Sequence, residues 1–144
     1  MPPPYAGVPK LSLLVAGVWG KMGHKVEVCF TYKPEKADDF NAGAEYFFEY
    51  GSKPDKFKKL LFLSKYFLFN PVLYAGFLIS YLKISKRFSL EAVLFSAYGI
   101  YMDKVIKSFG PDIILSEAAL IKTFMVAKVA KRRKIPIVFD TYAE

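Results

Sequence analysis

Apolar positions recur along this chain with a period that changes from stretch to stretch, and each change marks an element. From Val8 the step is three to four residues, and Leu11, Leu14, Val15, Val18 and Met22 fall on one face while Lys10, Ser12, Gly17 and Lys21 lie off it. That is the pattern of an amphipathic helix, and Gly23 stands where a C-terminal cap belongs. Val26, Val28 and Phe30 then alternate with Lys25, Glu27 and Cys29, the period of a strand. Residues 31–41 are polar and carry Pro34, which predicts a loop. Residues 46–50 predict a short strand and residues 51–55 a turn. Residues 56–70 are apolar and basic together, and Asn70-Pro71 fits a helix cap followed by proline at the first helical position. Two further helices are expected over residues 72–86 and 90–109, the second ended by Gly110-Pro111.

The final third carries the strongest pattern. Residues 112–115 are a short β-branched run, and residues 118–133 return to a helical period through Leu120, Ile121, Phe124, Ala127 and Ala130. Residues 135–140, IPIVFD, are a second apolar run. Strand, helix, strand in so few residues is a βαβ unit, and strands without polar alternation belong to a parallel sheet covered by helices on both faces. The expected fold class is therefore α/β: a Rossmann-like parallel sheet flanked by helices, in a single domain over residues 1–144. A helix-to-strand passage like the one at residues 8–30 ordinarily follows a central strand, so a first strand is expected upstream of the proline-rich start. Ligands of such sheets bind at the carboxyl ends of the strands. Those ends carry Ser116 and Glu117 after the first strand, and Asp140, Thr141, Tyr142 and Glu144 after the second.

Composition narrows the function classes. With 53% hydrophobic and 17% aromatic residues, the 144-residue chain is globular rather than disordered. Its net charge of +8 is compatible with nucleic acid, an anionic membrane or phosphorylated small molecules. No RNP, KH or zinc-finger pattern occurs, so nucleic acid is not an expected partner. A single cysteine, Cys29, excludes an internal disulfide and fits a reducing, cytoplasmic compartment; the expected role of the thiol is structural. His24 is the only histidine. No Ser-His-Asp set is expected from it, and no zinc site, since catalytic zinc ordinarily takes about three protein ligands. Neither a P-loop nor a dinucleotide fingerprint is present. The opening MPPPY has no apolar stretch of a secretory leader. Residues 60–82 have the length of a membrane span, about 20 residues, but Lys65, Asn70 and Pro71 interrupt them. An amphipathic helical hairpin is expected there, packed on the sheet with a basic, aromatic edge exposed. Such an edge suits anionic lipid at the inner membrane face; covering the core is the alternative role. The run Lys128, Lys131, Arg132, Arg133 and Lys134 is expected to complement a helix C-terminus.

Taken together, PPPYAG, a helix and GHKVEV, then PDIIL, a basic-ended helix and IPIVFDTY, resemble the N-terminal, acceptor-side domain of GT-B glycosyltransferases. The likeness is to the family-four-like retaining group that uses nucleotide sugars, and it spans nearly the whole chain. The resemblance implies transfer of a sugar from a nucleotide sugar, as substrate rather than cofactor, to an acceptor that includes lipid-linked ones. Where the family often has Gly-Gly in its first loop, this chain has Ala6-Gly7, which implies that Gly7 approaches the donor phosphate. The family often has histidines where Leu115 and Glu117 stand, and another where Tyr142 stands. Gly7, Glu117, Asp140 and Tyr142 are thus the expected substrate-binding residues, with no catalytic residue and no metal assigned. The family's paired glutamates, spaced E-x7-E, belong to a donor-binding half; Glu27 and Glu35 share that spacing but lie in the acceptor-side half. The chain is accordingly expected to be part of a larger enzyme. The alternative is a non-catalytic Rossmann-like module that binds an anionic membrane or a separate donor-binding chain.

Overall fold

The computed structural model describes residues 7–32, 44–48, 56–117 and 120–140. The chain divides into two compact units, Met1–Pro54 and Asp55–Glu144.

In the first unit, α1 (Gly7–Lys21) leads to β1 (Val28–Tyr32), which pairs in parallel with β2 (Ala44–Phe48). The end of α1 follows from Gly23. Its φ of +91° is one that side-chain-bearing residues rarely adopt. This turn lets His24 N–H reach the Trp19 carbonyl and Gly23 N–H the Gly20 carbonyl, both at 3.0 Å, so the last helical carbonyls are satisfied. Three expectations change. Gly7 is the first residue of α1 rather than part of a loop, one residue before the apolar period begins at Val8. The first strand runs from Val28 through Thr31 and Tyr32 instead of starting at Val26; residues 24–27 link the cap turn to it without regular structure. The second strand lies two residues earlier than expected, where its pairing with β1 sets it: Val28 opposite Ala44 and Tyr32 opposite Phe48. The expected turn at residues 51–55 lies outside the described residues.

The second unit is built on a long central helix. Its order is α2 (Lys56–Phe69), α3 (Pro71–Ser85), α4 (Leu90–Phe109), β3 (Ile114–Glu117), α5 (Leu120–Arg133) and β4 (Ile137–Asp140). Helices α2, α3 and α5 all pack on α4, whose Ala92, Ala97, Gly99, Ile100 and Ile106 are buried. Leu63 from α2 and Met125 and Val129 from α5 are completely buried in the core. Asn70 caps α3: its side-chain oxygen accepts from Leu73 N–H at 3.0 Å, and Pro71 follows at the first helical position. Gly110, at φ +63°, closes α4. Buried polar atoms are satisfied locally or across helices. Ser96 Oγ donates to the Ala92 carbonyl at 2.6 Å, and Tyr74 Oη donates to the Val93 carbonyl at 3.1 Å. Arg133 on α5 forms a two-pronged ion pair with Asp103 on α4, at 2.8 and 2.9 Å. Lys128 Nζ donates to Ser80 Oγ, joining α5 to α3.

Strands β3 and β4 are parallel, with Ile114 opposite Ile137 and Glu117 opposite Asp140. The α/β class holds at this level, with each described sheet two-stranded. Helices on both faces were expected; α5 lies on one, fixed by Ser116 Oγ against Thr123 Oγ1 at 3.3 Å, while Leu115 and Val138 are exposed. Among the described residues α5 makes the main helix contact with the ribbon, so apolar strand composition overstated the cover. The expected hairpin over residues 60–82 is instead a corner. The axes of α2 and α3 bend by 117° at Asn70, and both helices pack chiefly on α4.

Candidate functional site at the strand ends

The end of the β3–β4 ribbon is where the topology concentrates polar residues. Parallel pairing sends both carboxyl ends the same way, and α5 begins at Leu120, just after β3, so its N-terminus lies at that end too. Glu117 and Asp140 are the last residues of their strands and are directly paired. Adjacent strands lie roughly 4.8 Å apart, so two carboxylate-bearing positions are neighbours at the positive end of a helix dipole. One register step inside, Ser116 is opposite Phe139, and its hydroxyl is bonded to Thr123 on the first turns of α5. Carboxylate- and hydroxyl-bearing residues are the types that accept and share hydrogen bonds with a polyhydroxyl ligand.

Of the four residues expected to bind substrate, the fold brings Glu117 and Asp140 together. Ser116 and Glu117, expected just beyond a strand over residues 112–115, are its last two residues, because pairing with Phe139 and Asp140 sets β3 at Ile114–Glu117. Gly7 belongs to α1 in the other unit. Tyr142, with Thr141 and Glu144, lies outside the described residues. His24 uses its backbone N–H in the α1 cap, and its side chain is exposed. The basic run on α5 divides: Arg133 and Lys128 make cross-helix bonds, while Lys131 and Arg132 are exposed at the helix end. Among the described residues, no three His, Cys, Asp or Glu side chains gather as a metal site would require.

Sequence reasoning missed the detail of the α2–α3 corner. Lys104, on α4, lies with Nζ 5.3 Å from the centre of the Phe69 ring, and Lys65 Nζ lies 4.4 Å from that of Phe62. Lys65 was visible as an interruption in an apolar run; nothing in the sequence connects Lys104 with Phe69, 35 positions earlier. Burial in this region pushes the Tyr66 phenol up to about 12, and burial raises that of Tyr74. Among the described residues no single helix is long and apolar enough to cross a membrane; α2 and α3 reach that length only as the bent pair.

Compared with protein-family models, curated proteins and solved structures, the chain matches none.

Proposed function

We propose that this chain is the acceptor-side, Rossmann-like half of a GT-B glycosyltransferase. Completed by a donor-binding domain, it transfers a sugar from a nucleotide sugar to an acceptor, including a lipid-linked one. The observation that carries the reading is the direct pairing of Glu117 with Asp140 at the carboxyl ends of two parallel strands, beside the N-terminus of α5. Open parallel sheets bind ligands at this end. In this reading Glu117 and Asp140 hold acceptor hydroxyls, and Tyr142 adds a further substrate contact. Holding acceptor and donor together removes much of the entropic barrier to transfer. Fixed dipoles and cations stabilise the oxocarbenium-like centre and the departing diphosphate. The donor-binding half supplies most of these groups.

The test is amide NMR of the chain titrated with a panel of saccharides and polyprenyl-phosphate saccharides. Expected are shifts at residues 115–117 and 137–140 with at least one of these ligands, lost in the Glu117→Gln, Asp140→Asn double variant. Shifts confined to other residues, or a response unchanged in the double variant, would overturn the acceptor assignment.

A further inference from the structure

Helices α2 and α3 carry apolar stripes on their outward sides as well as their inward ones. On α3, Tyr74, Phe77 and Tyr81 are buried, yet Val72, Ala75, Gly76 and Ile79 form a second stripe facing water, which continues into Lys83 and Lys86. On α2 the outward stripe is Phe57, Leu60, Leu61 and Leu68. The stripes meet at the Asn70 bend, and the residues there are among the most exposed large apolar side chains described: Leu68 at 78%, Phe69 at 62% and Val72 at 82%. Two cations flank this apex, Lys65 over Phe62 and Lys104 over Phe69. Residues 56–90 contain seven Lys and Arg and no Asp or Glu.

We infer that this corner is a membrane-docking device: its apex enters the headgroup region of an anionic bilayer while the surrounding lysines engage lipid phosphates. Helix α2 is about 21 Å long and α3 about 22 Å, against roughly 30 Å of hydrocarbon, and the 117° bend keeps them from acting as one rod. The inward face of α3 is held by α4 through Phe77 and Tyr81. The corner therefore lies in the interface and does not span. Lysines beside an apolar apex suit this depth, because their stems follow apolar surface while their ammonium groups stay in water or on phosphate. A second copy of the chain fits less well. A self-complementary contact through the apex would set Lys65 and Lys104 near like charges, and residues 56–90 hold no acid to offset them. The inference rests on α2, α3 and α4 alone and stands separately from the sugar-transfer reading.

The experiment is flotation of the chain with vesicles of phosphatidylcholine, alone or with added phosphatidylglycerol. Folding of each variant is checked by circular dichroism. Binding is expected on the anionic vesicles and lost in L68E/V72E. Because each basic residue near the surface contributes about 1 kcal/mol, K65Q/K104Q should partition roughly thirtyfold less. Since Trp19 is the only tryptophan, a W19F/L68W variant reports apex depth, and brominated acyl chains should quench it. Absence of wild-type binding to anionic vesicles overturns the inference, as does binding that survives in folded L68E/V72E. Self-association in sedimentation velocity that L68E/V72E abolishes, without vesicle binding, would assign the apex to a second copy instead.

Discussion

Gly99 offers a sharp test of how α3 and α4 pack. It lies in the middle of α4, where glycine ordinarily weakens a helix by about 1 kcal/mol relative to alanine. Helix propensity alone therefore makes Gly99→Ala stabilising. The structure argues the reverse. A Cβ at Gly99 would come within 2.9 Å of Phe77 Cδ2 and Cε2 and 3.0 Å of Cγ. Because Cγ is among those atoms, rotating the ring does not clear the clash, and Phe77 is only 3% exposed, so the side chain has little room to retreat. Overpacking of this kind costs about 1–3 kcal/mol. After subtracting the propensity gain, G99A should destabilise by about 1 kcal/mol, within a range of roughly 0–2. Gly76 provides the internal control. It is exposed on α3 with nothing within 4 Å of an added Cβ, so G76A should stabilise by roughly 0.5–1 kcal/mol. Urea denaturation of G99A, G76A, F77A and G99A/F77A gives the full set. F77A alone should cost about 3–5 kcal/mol, and with the ring gone G99A should change sign and become stabilising. Stabilisation by G99A in the wild-type background, or additive behaviour with F77A, would refute the close approach of α3 to α4 at this point.

Two further outcomes follow from the second unit. The Asp103–Arg133 pair is two-pronged and its side chains are 15% and 25% exposed, so a D103A/R133A cycle should give a coupling of about 1–2 kcal/mol, partly screened by salt; a coupling near zero would mean that α4 and α5 do not rely on it. The Tyr66 phenol is raised from 10.0 to about 12 by desolvation, so the folded state holds its proton more tightly than the unfolded chain does. Its stabilising share is complete below pH 10 and drains as pH rises from about 10 to 12; alkaline denaturation should therefore flatten in that window in Y66F, and an unchanged slope would contradict the burial.

Much of the local structure was legible in the sequence because caps and periods are satisfied within a few residues. Gly23, Asn70-Pro71 and Gly110 mark helix ends through bonds to neighbours three to five positions away. The parallel course of β3 and β4 was legible as well, since a helix lies between them. It follows that Glu117 and Asp140 share one end, which is the part of the candidate site that could be foreseen. Their direct pairing, and the membership of Glu117 in the strand, depended on a register that only the two strands together define. The pairing of β1 with β2 was likewise out of reach, because residues 31–41 give no period that fixes a partner.

The sequence by itself determined the caps that end α1 and α4 and begin α3, that the last two strands run in one direction, and that residues 56–90 are at once apolar and cationic. Only the tertiary structure decided that α2 and α3 turn a 117° corner on α4, that Phe77 lies against Gly99, and that Lys104 sits beside Phe69. The physical reason is range. A cap or an amphipathic period is a bargain among residues a turn apart, whereas a side chain's cover depends on what packing brings from 20 or 30 positions away. That is why the exposure of Val72 and Ile79 on the outer side of α3 is decided by the fold and not by the period.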